Sequence, residues 1–182
     1  WTMSACAASI LHWGAIPIFA DIEKETFNLD PESIIKNISP KTKAILAIDI
    51  FGHSCNIDKI KKIADDNNLK VITDSAQAPG SKNKGRVTGT LGDIGGFSLN
   101  YHKHIHTGEG GIVVTDNDYY ANKIRLIRNH AESVAEGSGA TNYSNLIGYN
   151  FRLGEIESAI GIEQLKKLDH LVQIKRKNVD HL

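Results

Sequence analysis

The sequence predicts an α/β domain with a mainly parallel central sheet flanked by helices. Short apolar runs alternate with helix-period stripes along most of the chain. The strand runs are apolar almost throughout, as parallel strands covered on both faces should be. No linker, internal repeat or low-complexity segment divides the 182 residues, a length that suits one well-buried domain.

The elements follow in order. Residues 4–13 are small and apolar and predict a helix stopped by Gly14. Ile16-Pro17-Ile18-Phe19-Ala20 reads as a short buried strand ending near Asp21. Asp30-Pro31-Glu32 is a helix start, with Asp as N-cap and Pro in the first turn, and Ile34, Ile35 and Ile38 are expected to face inward. Residues 44–50 form an apolar strand. Ile57, Ile60, Ile63 and Ala64 make a helical stripe, followed by a strand from Lys70 to Asp74. Residues 95–99 and 111–115 read as two further strands. Asp116 or Asn117 caps a helix over 118–128 that presents Ile124 and Ile127. Gly, Ser and Asn make 129–150 a loop, and Ile156, Ile160 and Leu165 are periodic within a last helical region, 153–168.

Composition excludes several classes. Net charge is zero with 23% charged residues, so no basic field points to nucleic acid or a membrane surface. No run of about 18 apolar residues is present, which excludes a spanning helix. Cys6 and Cys55 lack metal or redox spacing and read as buried, inert thiols of a reducing compartment. Trp1 opens the chain without a signal-peptide pattern, and the chain stops inside the charged, helix-like stretch Gln173 to Asn178. Both ends read as internal to a longer protein.

Three constellations carry chemistry. Asp74 closes a buried strand where ligands of open α/β sheets bind, and an acid there needs a partner or serves as a turn cap. Gly89 to Ser98 is glycine-rich but fits neither the dinucleotide fingerprint nor the Walker loop. Tyr101-His102-Lys103-His104-Ile105-His106 precedes a glycine turn. The alternating histidines suggest one face of an extended segment, yet no carboxylate or Cys cluster accompanies them at metal-site spacing, and no metal is expected.

Together these segments resemble the DegT–StrS-type nucleotide-sugar aminotransferases, a branch of the fold-type I pyridoxal-phosphate enzymes. The matching residues are Asp74-Ser75-Ala76-Gln77-Ala78, Gly89 to Ser98, and Lys103 six residues before Glu109 in Thr107-Gly108-Glu109-Gly110-Gly111. Arg128-Asn129-His130, Gly148 to Leu153 and the upstream Gly14 to Ile22 follow the family's order. The resemblance covers nearly the whole chain.

The resemblance implies the large, cofactor-binding domain of such an enzyme, with pyridoxal 5′-phosphate as cofactor. The family's upstream Gly-Thr phosphate-binding element and its C-terminal small domain are not among these residues. Lys103 matches the lysine that holds the cofactor as a Schiff base and then shuttles a proton as general base. Asp74 matches the carboxylate that keeps the pyridine nitrogen protonated, so that the ring accepts electrons. Gln77 matches the ligand of the ring hydroxyl, and Ser98 a hydroxyl on the cofactor phosphate. Counting from Gly14, the ring-stacking position falls on Met3, with Trp1 as the alternative. Asn150 or Arg152 matches the region that reaches the neighbouring subunit's cofactor, which implies a homodimer with shared sites.

The implied reaction moves an amino group, from glutamate, to a keto group of a nucleotide-linked deoxysugar, in the cytoplasm. Some relatives carry His at the lysine position and act as dehydratases. Six-residue spacings from Phe97 and to Glu109 both select Lys103 rather than His102 or His104. The alternatives are a sugar dehydratase or sensory relative on the same scaffold, and a non-enzymatic binding module. His130 and Tyr143 are further candidates to face a substrate.

Overall fold

Apolar runs of β-branched residues pair side by side to make the centre of the molecule. The computed structural model describes residues 1–132 and 146–181. Its helices are α1 (Ser4–His12), α2 (Pro31–Asn37), α3 (Ile57–Asp66), α4 (Asp118–Arg128), α5 (Glu155–Leu165) and α6 (Leu168–Val179). Its strands are β1 (Ala44–Ile48), β2 (Lys70–Asp74), β3 (Lys82–Asn83), β4 (Arg86–Val87), β5 (Ile94–Ser98) and β6 (Gly111–Val114). The main sheet has the order β1-β2-β5-β6, parallel except for β6, which runs antiparallel to β5. The expected mainly parallel sheet is observed. The β3–β4 hairpin is an addition that the sequence did not announce.

Side-chain caps start three helices. Asp30 accepts from Glu32 N at 2.9 Å with Pro31 behind it, and Asn56 and Asn117 accept from Lys59 N and Tyr120 N. Asn117, not Asp116, therefore caps α4. α3 turns Ile57, Ile60 and Ala64 onto Ile45, Ala47 and Val71, and α2 adds Ile34. Ile60 is fully buried, and such a side chain contributes about 2–3 kcal/mol by leaving water.

Strand alternation divides the sheet into two unequal faces. Ile45, Ala47, Val71 and Thr73 lie on the closed face under α2 and α3. Leu46, Ile48, Ile72 and Asp74 alternate to the opposite face, which is only half-buried. The two-sided cover expected from the apolar runs is therefore one-sided along β1 and β2.

The glycine constellation is explained by packing. A Cβ on Gly95 would run into Gly89 O, and one on Gly89, at φ +93°, would collide with Phe97 and meet Ser75 Oγ at 2.7 Å. The turn before β5 lies directly on the strand, and only glycine permits that approach.

Two expectations are corrected. Residues 16–20 form no strand, and Ile16, Ile18 and Phe19 are 81%, 67% and 72% exposed. An apolar run becomes a strand only with a ladder partner; none of the described strands pairs with it, and Pro17 offers no N–H. Ile35 is half exposed because Ile34 and Ile38, four residues apart, already define the inward face of α2. Ile156, Ile160 and Leu165 face outward. α5 instead approaches the body through Gly161, where a Cβ would stand 3.2 Å from Thr107 Cγ2.

Candidate active site

Asp74 ends β2 on the half-buried face, and each of its carboxylate oxygens holds one donor. Ala76 N–H donates to Oδ1 at 3.0 Å, and the Cys6 thiol donates to Oδ2 at 2.9 Å. Gly96 pairs with Asp74 across the β2–β5 ladder, so it lies on the same face. A Cβ at Gly96 would meet nothing closer than Thr73 O at 4.0 Å, so the face beside the carboxylate is open. Ser98, two residues further along β5, returns to that face, and its Oγ accepts from Asn100 N at 3.2 Å.

A second carboxylate supports the strand ends from the other side. Asp49, buried at 1% exposure, accepts from Cys55 N at 2.9 Å and from Ser75 Oγ at 2.5 Å. Burial raises its pKa above the usual carboxylate range, partly offset by the Ser75 and Cys55 hydrogen bonds. The turn that follows Asp49 is stapled by Asn28, which accepts from Ile50 N and donates to His53 O. The same turn presents Phe51 N–H to Gln77 Oε1 at 2.9 Å. That bond takes up the amide oxygen and leaves the N–H2 end of Gln77 as the donor end.

Lys103 lies on the connection between β5 and β6, half-buried. Asn100 organises the connection: its carbonyl accepts from Lys103 N at 2.9 Å, and its side chain donates to Glu109 Oε1 at 2.6 Å. Leu99 N donates to Gly110 O and Thr107 N to Leu99 O, which close the base of the loop. His104, next to the lysine, is held below the usual histidine pKa by burial and by the charges of Lys175 and Lys103. No group of three or more His, Cys, Asp or Glu that could hold a metal occurs among the described residues.

The remaining candidates are less gathered. Met3 is the N-cap residue of α1, largely exposed, and lies three residues before Cys6 on one side of the helix. Trp1 packs its ring against Phe27 and Phe51, with centroids 5.7 and 6.5 Å away. Arg152 donates to Asn129 Oδ1 at 2.8 Å, while Asn150 forms an isolated backbone bridge with Asn129. His130 N donates to Tyr149 O, and its φ of 59° is left-handed. Tyr143 lies outside the described residues.

Sequence reasoning missed Cys6, Asp49 and Asn100. A charge inside an otherwise apolar strand run was the available signal for Asp49. Cys6, read as inert, is buried as expected but bonds Asp74 across 68 positions of sequence, and no local pattern encodes that.

Residues 1–182 match the model of the DegT/DnrJ/EryC1/StrS aminotransferase family. GDP-perosamine synthase of Caulobacter vibrioides is 38% identical over 176 residues, covering 96% of this chain and 46% of that protein. Among solved structures, DesI in the presence of its TDP-sugar product superposes with a TM-score of 0.89 at 32% identity, over 97% of this chain and 44% of that one. An E. coli GDP-4-keto-6-deoxy-D-mannose-3-dehydratase with bound hydrated PLP gives 0.88 at 31%, over 99% and 50%. The chain spans about half the length of the curated relatives it matches. The architecture is that of the large domain of fold-type I pyridoxal-phosphate enzymes.

Proposed function

Because the chain belongs to the DegT/DnrJ/EryC1/StrS aminotransferase family, we propose that its protein is a pyridoxal-phosphate-dependent aminotransferase acting on a keto group of a nucleotide-linked deoxysugar. The carrying observation is Asp74 and Ser98 on one sheet face, with the open place at Gly96 beside the carboxylate and the Lys103 loop following directly. That donor set fits the cofactor: a carboxylate for a protonated ring nitrogen, an amide for a ring hydroxyl, a hydroxyl for phosphate and an amine for an aldehyde. The names of the relatives above carry nucleotide-linked sugars, GDP-perosamine and a TDP-sugar, which supports the acceptor.

Bound pyridoxal phosphate supplies an electron sink for the carbon that exchanges its amino group. The residues do the rest. Lys103 Nζ would hold the cofactor through its aldehyde and, as a free amine, would serve as the general base that moves the proton. Asp74 holds the ring nitrogen's proton by charge. Gln77, with its oxygen taken by Phe51 N–H, donates from its nitrogen to the ring hydroxyl. Ser98 donates to the phosphate.

Met3 covers the ring, favoured over Trp1 because it shares a helix side with Cys6 while Trp1 is engaged by Phe27 and Phe51. Asn150 is favoured over Arg152 for reaching a partner subunit's cofactor, since Arg152 is tied to Asn129. A homodimer with shared sites follows from that role. The amino donor in this reading is glutamate, and the reaction is cytoplasmic. No described helix is long and apolar enough to cross a membrane.

The second reading is a sugar dehydratase, which matching relatives exemplify. Amine transfer from labelled glutamate separates the two: loss of water from a keto sugar without transfer of label selects the dehydratase. The lysine assignment is tested by absorbance of the full-length protein after adding pyridoxal phosphate. Lys103→Ala is expected to abolish the visible band of lysine-bound cofactor, and borohydride is expected to fix the adduct on Lys103. A band retained by the variant sinks the assignment.

A further inference from the structure

Cys6 is the one buried residue of α1, a helix otherwise half or fully exposed, so its burial is not part of a general packed face. Its Sγ lies 2.9 Å from Asp74 Oδ2 on one side and 3.1 Å from Thr2 Oγ1 on the other. The ionised carboxylate can only accept, so the single thiol proton goes to Asp74. The Thr2 hydroxyl must then donate to the sulfur, giving a directed chain from Thr2 through Cys6 to Asp74. Ala76 N–H occupies the other carboxylate oxygen, at 3.0 Å.

We propose that Cys6 is a positioning residue, whose thiol hydrogen bond fixes the plane and charge of the Asp74 carboxylate toward the cofactor's ring nitrogen. This rests on the assignment of Asp74 as the partner of that nitrogen. The thiol suits a permanent donor. Burial, then the hydrogen bond to Asp74, push its pKa up to about 11, so it keeps its proton throughout the neutral range. Two donors on two oxygens leave the carboxylate little freedom to rotate. The face beside it stays clear because Gly96 has no side chain.

The contact is tested first without cofactor, in the full-length protein. Alkylation of Cys6 by iodoacetamide, located by mass mapping, is followed against pH in the parent and in Asp74→Asn. Removing the carboxylate charge makes the thiol more acidic, and the Cys6 rate at mildly alkaline pH is expected to rise about fivefold or more. Cys55, on the opposite side of the sheet, serves as the internal reference. An unchanged Cys6 rate overturns the thiol–carboxylate bond.

The role is tested with cofactor, by titrating the visible band in the parent, Cys6→Ala and Cys6→Ser. The expected result for Cys6→Ala is cofactor binding weakened about fivefold and a displaced pH midpoint of the band, with both recovered in Cys6→Ser, which keeps a donor. A midpoint unmoved in Cys6→Ala, or equal losses in both variants, reduces Cys6 to a packing residue and overturns the proposal. A parent that shows no band at all refutes the cofactor assignment, and the ring-directed role with it; the alkylation result then judges the contact by itself.

Discussion

At the scale of single residues, two carboxylates at neighbouring strand ends face different surroundings. Asp74 looks onto the open face with two donors, while Asp49 is buried beneath the strand ends. The native pKa of Asp49 is raised from its ordinary 3.8, chiefly by burial. Its contribution to stability is therefore full below that ordinary value and is lost as pH rises through the native one. Asp49→Asn keeps an acceptor for Cys55 N–H and cannot ionise. Its stability relative to the parent is expected to increase as pH climbs through that window and to level off above it. Urea denaturation at a series of pH values measures this; a difference that stays constant with pH contradicts the buried charge. Asp74 and Lys103 could be proposed from sequence because each sits in a recognisable stretch of neighbours. Cys6 was not, since its meaning lies in a residue 68 positions away.

At the scale of elements, caps and periodicity were legible wherever a helix or strand had a partner within the described residues. α2, α3 and α4 begin at their capping side chains, and β1, β2, β5 and β6 fall within a residue or two of their apolar runs. The failures share one cause. Residues 16–20 and the outward side of α5 carry an apolar pattern but no neighbour among the described residues to bury it against, and pattern alone does not say where the neighbour is. The Gly89–Gly95 contact is the close backbone approach that a glycine-rich turn allows, here made a packing demand. Gly95→Ala is expected to cost about 3 kcal/mol or more, because backbone rather than a movable side chain stands in the way. Thermal denaturation checks it, and a melting temperature within a degree of the parent removes the close-approach argument.

At the scale of the whole molecule, burial is concentrated where α2 and α3 cover β1 and β2. The opposite face holds the proposed site, with Asp74 and Ser98 at the carboxyl ends of β2 and β5, where ligands of open α/β sheets bind. Within the site, the lysine and the carboxylate differ in how the chain brings them into place. The Lys103 loop is closed by Leu99 and Gly110 and by the adjoining β5–β6 pairing, all close together in the chain. The Cys6–Asp74 contact closes a span several times longer. Loop-closure entropy grows with span, so the two halves of the proposed site are expected to form on different schedules: the lysine hairpin early, the α1 contact late. Pulse-labelled hydrogen exchange during refolding is expected to protect the amides of Ile112 and Val114, which face β5, before that of Cys6. Simultaneous protection of both would show the site assembling in a single step.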